Sequence, residues 1–157
     1  MAFNLIIDKE KLLNETSLPN FFEDFQYLSV PIKLIVGGEV YMDKSPTYTD
    51  RVMFFTSIPH KKEFVFIKEK NDYEMILVDG LYDIDLNFSN DNSNKTVRVT
   101  IKYSLKAEND EFILNSTEFF FMIDQMWIDL VDVLYQVYPK ELVDQEMDKI
   151  YKKKMKD

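Results

Sequence analysis

Apolar and polar residues alternate with a period of two through most of the chain between Val30 and Ile123. This alternation is typical of strands that bury one face and expose the other. Because short polar segments separate the successive strands, we expect neighbouring strands to pair as an antiparallel meander. The sequence therefore predicts a twisted, mainly antiparallel sheet over residues 30–123.

The clearest strand is Lys95 to Leu105, where every second residue is apolar. The segment Leu81 to Phe88 has the same alternation and predicts the other arm of a hairpin. Gly37-Gly38 stands between two apolar runs and predicts a tight hairpin turn. Further strands are predicted over Val30 to Val36, Glu39 to Met42, Arg51 to Ile58, Glu63 to Lys68 and Tyr73 to Val78.

The segment from Glu111 to Ile123 contains three consecutive aromatic residues, Phe119, Phe120 and Phe121. We interpret it as the last strand of the sheet. Because neighbouring side chains on a strand point to opposite faces, one of Phe119 and Phe120 would need a second cover. That cover would come from another chain or from the amino-terminal segment.

At Asp124 the apolar period changes to that of a helix, with Trp127, Leu130 and Leu134 on one face. Asp124 suits the N-cap of this helix, and Pro139 ends it. Residues 124–157 are therefore predicted to form two helices, the second with Val143, Met147 and Ile150 on its apolar face.

The first 29 residues are predicted to form an irregular or helical cover. Phe3 to Ile7 suits a strand, Asp8 to Glu15 a short helix, and Leu18 to Leu28 a second helix or an irregular segment. Together these patterns predict one α+β domain of 157 residues. The order of elements is similar to that of the export chaperone SecB, although no sequence motif accompanies that similarity.

Composition narrows the possible functions. Cysteine is absent, which excludes disulfides, thiolate nucleophiles and thiolate metal sites. The formal net charge of −9, with no Lys or Arg from Ala107 to Pro139, disfavours nucleic-acid binding. The sequence has neither a signal-peptide pattern nor an apolar run long enough to span a membrane, so we expect a cytoplasmic protein, or a virion-associated one if a phage encodes it.

Two features could carry chemistry. His60 is the only histidine and lies between a proline and two lysines, which would lower its pKa and hinder metal binding. The acids Asp79, Asp83, Asp85 and Asp91 could gather around Mg²⁺ or Ca²⁺, but the pattern favours the solvated face of a strand. We therefore predict no catalytic, cofactor or metal site.

The aromatic excess and the acidic stretches favour a protein that binds proteins. Our first hypothesis is a non-enzymatic subunit, a structural or assembly component of a larger complex such as a phage particle. The alternative is an acidic inhibitor or immunity-type protein that masks a basic partner, and an enzyme is the least favoured reading. The candidate interface, towards a partner or a second copy, consists of Phe119, Phe120, Phe121, Asp129 and Asp132.

Overall fold

The structure is a computed structural model that describes residues 3–16, 28–40, 50–60, 72–78, 83–91, 93–103 and 110–156. In chain order the elements are β1 (Phe3–Ile7), α1 (Lys9–Thr16), β2 (Ser29–Val36), β3 (Glu39–Val40), β4 (Asp50–Met53), α2 (Phe54–Ser57), β5 (Asp72–Val78), β6 (Asp83–Asp91), β7 (Thr96–Tyr103), β8 (Asp110–Asn115), α3 (Ser116–Val137) and α4 (Lys140–Lys156). The α+β class, with antiparallel strands followed by two C-terminal helices, is confirmed. The described strands form two four-stranded sheets rather than one.

The first sheet is built around β2. On one side β1 pairs with it from Phe3 opposite Val36 to Ile7 opposite Ile32. On the other side β3 and β4 lie end to end along the same strand. Gly37 and Gly38 connect β2 to β3 with φ angles of +62° and +84°. Two positive φ angles are what the tight hairpin turn requires, so the predicted hairpin is confirmed.

The second sheet is a meander of β5, β6, β7 and β8 in chain order. In β7 the side chains of Val97, Val99 and Ile101 are buried, whereas Arg98 and Lys102 are exposed. The predicted strand and its faces are confirmed, and Lys102 lies opposite Asp85 of β6 as expected. The edge strand β5 of the second sheet lies next to β4 of the first sheet. The two sheets are therefore adjacent.

The predicted strand from Arg51 to Ile58 is wrong in its second half. β4 ends at Met53, and Phe54–Ser57 forms one helical turn in which the Ile58 N–H donates to the Phe54 carbonyl at 2.9 Å. The turn buries Phe54, Phe55 and Ile58 together, which alternation along a strand would not allow. The predicted strand from Glu63 to Lys68 lies outside the described residues.

The assignment of Glu111 to Ile123 to one strand is also wrong. β8 ends at Asn115, and α3 begins at Ser116, eight residues before the predicted start at Asp124. The N-cap is Asn115, whose Oδ1 accepts a hydrogen bond from the Thr117 N–H at 2.8 Å. The predicted boundary between sheet and helices at residue 124 therefore moves to residue 116.

The period of the buried residues explains this correction. Nine residues of α3 are buried with helical spacing: Phe119, Phe120, Met122, Ile123, Met126, Trp127, Leu130, Val133 and Leu134. Successive residues on a helix are about 100° apart, so two of three neighbours can face the core. Phe119 and Phe120 do so, whereas Phe121 is 67% exposed. The inference that either Phe119 or Phe120 needs a second cover was therefore wrong.

Helix α3 is the element that joins the other parts of the core. The Phe119 ring lies 4.9 Å from that of Phe88 in the second sheet. Towards the first sheet, the backbone N–H of Leu5 donates to Met122 Sδ at 3.3 Å. The Trp127 indole N–H donates to the Pro59 carbonyl at 2.8 Å. Trp127 is thus a core residue, as its apolar stripe predicted.

The terminal helices attach to this core at two places. As predicted, α4 buries Val143, Met147 and Ile150. At the amino terminus a strand and a short helix are also confirmed, and Arg51 anchors that helix with a bidentate ion pair to Glu15 at 2.7 and 2.8 Å. The predicted cover from Leu18 to Leu28 lies outside the described residues except for its last residue.

We predict that Phe119→Ala and Phe121→Ala differ sharply in stability although the residues are two positions apart. Removing the buried ring of Phe119 should lower the free energy of unfolding by about 3–5 kcal/mol. Removing the exposed ring of Phe121 should change it by less than about 1 kcal/mol. Urea unfolding of both variants measures the difference, and equal losses would contradict the helical placement of this segment.

Candidate functional site

The outer face of α3 carries a line of exposed apolar side chains. Phe121 is 67% exposed, Ile128 47% and Tyr135 38%. The three residues are seven positions apart, which is close to two helical turns, so they lie along one side of the helix. Gln125 and Asp132 lie between them on the same side. We call these five residues the α3 stripe.

Beside the first half of the stripe, β1 and α3 enclose a groove of about 140 Å³. The groove is lined by Asn4, Leu5, Ile6, Phe121, Met122, Gln125, Met126 and Asp129. Two of the lining residues are in direct contact, because the Leu5 N–H donates to Met122 Sδ and so attaches the edge strand to the helix. The exposed ring of Phe121 thus stands at the border of a shallow, mostly apolar depression.

At the other end of the groove, Asp129 is held by two neighbours. Its Oδ1 accepts from Gln125 Nε2 at 3.0 Å and lies 3.1 Å from Lys9 Nζ. Only 16% of the Asp129 side chain is exposed, compared with 55% for Asp132. Asp132 lies 3.9 Å from the same ammonium group. Asp129 therefore joins α1 to α3, and Asp132 is the acid that projects into solvent.

Further acids lie on both sides of the stripe. At about 100° per residue, Glu118 and Asp124 fall on opposite flanks of the line through Phe121. Among the described residues neither carboxylate has a Lys or Arg within ion-pair distance. Helix α3 contains no Lys or Arg of its own. The stripe is therefore an apolar line bordered by negative charge.

The carboxyl end of the stripe is fixed by α4. The Tyr135 hydroxyl donates to Asp144 Oδ1, and Lys140 Nζ lies 5.7 Å from the centre of the Tyr135 ring. The hydrogen bond to Asp144 raises the pKa of Tyr135, so the phenol is neutral at physiological pH. Tyr135 consequently presents an oriented, uncharged ring at this end.

The structure brings together three of the five residues of the predicted interface. Phe121 and Asp132 belong to the stripe, and Asp129 lies beside it. Phe119 and Phe120 are instead buried in the core. The sequence reasoning missed Gln125, Ile128 and Tyr135, although the seven-residue spacing from Phe121 was a signal that could have found the last two.

His60 and Asp91, which the sequence analysis considered for chemistry, both make contacts within the fold. The His60 ring packs at 5.1 Å from Trp127 and 4.3 Å from Tyr151, measured between ring centres. The Asp91 carboxylate accepts from the backbone and side-chain amides of Asn94, and these bonds lower the pKa of Asp91. Its role is therefore to organise the turn between β6 and β7.

Asp79 and the side chains of Asp83 and Asp85 lie outside the described part of the structure, so Asp91 is the one of the four acids whose side chain is described. Among the residues that the structure describes, no three His, Cys, Asp or Glu side chains lie close enough together to hold a metal ion. None of the described helices is both long and apolar enough to cross a membrane.

The chain matches no protein-family model, no curated protein and no solved structure.

We predict that Asp129→Asn destabilises the fold more than Asp132→Asn. The first change weakens the contacts to Lys9 and Gln125 and should lower the free energy of unfolding by about 0.5–1 kcal/mol. The second should change it by less than about 0.5 kcal/mol, because Asp132 is mostly solvated. Urea unfolding in low salt measures both variants. A larger loss for Asp132→Asn would show that the roles of the two acids are reversed.

Proposed function

We propose that this protein is a non-enzymatic interaction subunit of a larger complex, a structural or assembly component such as one found in a phage particle, and that it contacts its partner through the α3 stripe. The observation that carries the proposal is the line of three large apolar side chains exposed on one side of α3. Single exposed apolar residues are common on protein surfaces, whereas an aligned set is typical of a binding surface.

The composition of the stripe supports this proposal. Aromatic residues are enriched at the centres of protein interfaces, and two of the three apolar members are Phe121 and Tyr135. The 14 positions from Phe121 to Tyr135 span about 21 Å along the helix axis. A partner element of ordinary length could cover the whole line. The groove beside Phe121 adds a depression into which a partner side chain could insert.

The alternative of an acidic inhibitor uses the same surface. Glu118, Asp124 and Asp132 surround the apolar line, and this charge would attract a basic partner. The two functions differ in what binding does to the partner. Inhibition requires that the complex block the partner's activity, whereas an assembly component remains in the complex without doing so.

We predict that a cross-linker placed at residue 121 captures the partner and that one placed at residue 113 does not. The chain lacks cysteine, so Phe121→Cys and Ile113→Cys each provide one thiol for a photoactivatable maleimide. Ile113 on β8 is also 67% exposed, which makes it a matched control for reactivity and accessibility. The purified, labelled variants are added to an extract of the cells that produce the protein and irradiated, and mass spectrometry identifies the adducts.

The expected result is a defined adduct with one protein from position 121 that is absent from position 113. Competition by excess unlabelled protein should remove this adduct, and excess Phe121→Ser protein should not, because it lacks the proposed contact. Identical adducts from both positions, or none from position 121, would contradict the proposed function.

A further inference from the structure

We propose that the occupant of the α3 stripe is a basic amphipathic helix of a different protein, with apolar residues at heptad spacing and Lys or Arg residues beside them. This inference rests on the proposed function and specifies the chemistry of the partner. It follows from the spacing of the stripe and from the position of its acids.

The spacing is that of a coiled-coil seam. Phe121, Ile128 and Tyr135 are seven residues apart, and each of Gln125 and Asp132 follows one of them by four. In the heptad notation the three apolar residues occupy d positions and the two polar residues occupy a positions. A second helix can pack along such a seam, because its own a and d side chains can insert between those of α3 at each successive heptad.

The acid within the seam requires a cation from the partner. Asp132 occupies an a position and is 55% exposed, so a docked helix would cover it. Burying a carboxylate without a charged partner is strongly unfavourable. Lys9 is closer to Asp129, at 3.1 Å, than to Asp132, at 3.9 Å, and cannot neutralise both carboxylates fully. A Lys or Arg of the docked helix would complete the pairing.

Two further acids, one in line with the seam and one beside it, impose the same requirement. Glu118 occupies the preceding a position, and Asp124 occupies the g position beside Gln125. In coiled coils, charges at these positions select a partner of opposite sign. The cations that the described structure places close to this face are Lys9 and Lys140, which contact Asp129 and the Tyr135 ring respectively. Negative charge therefore dominates the surface that a partner would meet.

A second copy of the chain does not satisfy this requirement. A parallel copy would place Asp132 opposite Asp132, and an antiparallel copy centred on Ile128 would bring Asp132 close to Asp124. No Lys or Arg occurs between Ala107 and Pro139 to relieve either arrangement. Like charges across an interface are unfavourable, so the geometry favours a basic helix from another protein.

The test uses two synthetic peptides of three heptads each, with Leu at the a and d positions. One carries Lys at the e and g positions, and the other carries Glu at the same places. Fluorescence anisotropy with the full chain should show saturable binding of the Lys peptide and at least about tenfold weaker binding of the Glu peptide. Binding of the Lys peptide should also weaken when the salt concentration is raised to about 0.5 M.

Variants separate docking on the stripe from general attraction to an acidic protein. Phe121→Ser with Ile128→Ser should weaken binding of the Lys peptide at least about tenfold. Ile113→Ser is the control and should leave it unchanged. Asp124→Lys with Asp132→Lys should reverse the preference, so that the Glu peptide binds more tightly. Circular dichroism verifies that each variant is folded.

Equal binding of the two peptides, no binding of the Lys peptide, or binding that is insensitive to the Phe121 and Ile128 changes would overturn this inference. So would a concentration-dependent dimer of the unmodified protein that Phe121→Ser abolishes. If cross-linking from position 121 succeeds while the peptide test fails, the interaction function stands and the basic-helix partner is wrong. If the peptide test succeeds while cross-linking fails, the assembly role is wrong.

Discussion

The arrangement of the described structure depends on the packing of the amino-terminal half of α3. Within two turns this helix contacts the second sheet through Phe119 and the first through Met122, and the next turn adds Trp127 against the Pro59 carbonyl. These contacts require α3 to begin at Ser116, because a strand would turn alternate aromatic side chains away from the core. The Asn115 cap makes that start possible by accepting the Thr117 N–H.

The parts of the fold that could be predicted are those in which side-chain alternation is regular. In β7 a strict alternation produces one buried and one solvated face, and the period alone identifies the strand. Phe119 to Phe121 and Phe54-Phe55 are short aromatic runs, which suit either a strand or a helix. The spacing of Asn115 and Glu118 before the run was a helix-start signal, since both suit the first turn of a helix. The division into two sheets depends on contacts between distant segments, which a local pattern does not contain.

The candidate site could be predicted only in part, because the segment from Ser116 to Ile123 was assumed to be a strand and is a helix. The predicted interface combined the aromatic run with two nearby acids, and the structure places both on α3. The assumed strand geometry, however, assigned the outward position to Phe119 or Phe120 instead of Phe121. Ile128 and Tyr135 were missed because the helical stripe through Trp127 already accounted for the core. A helix with apolar residues on two separate faces needs a second explanation, and we propose that it lies in the heptad spacing of the outer face.

The charge of α3 connects this outer face with the rest of the molecule. The last turn of the helix, where a cation would interact favourably with the helix dipole, contains no basic residue. The helix also carries acids along its length. Lys9 from α1 and Lys140 from α4 supply cations at its sides. Lys9 offsets the charge of Asp129 and Lys140 lies over the Tyr135 ring, whereas Glu118 and Asp124 have no Lys or Arg within ion-pair distance in the described structure. A cationic partner would therefore relieve repulsion that the monomer retains, and it would do so without disturbing the buried face that joins the two sheets.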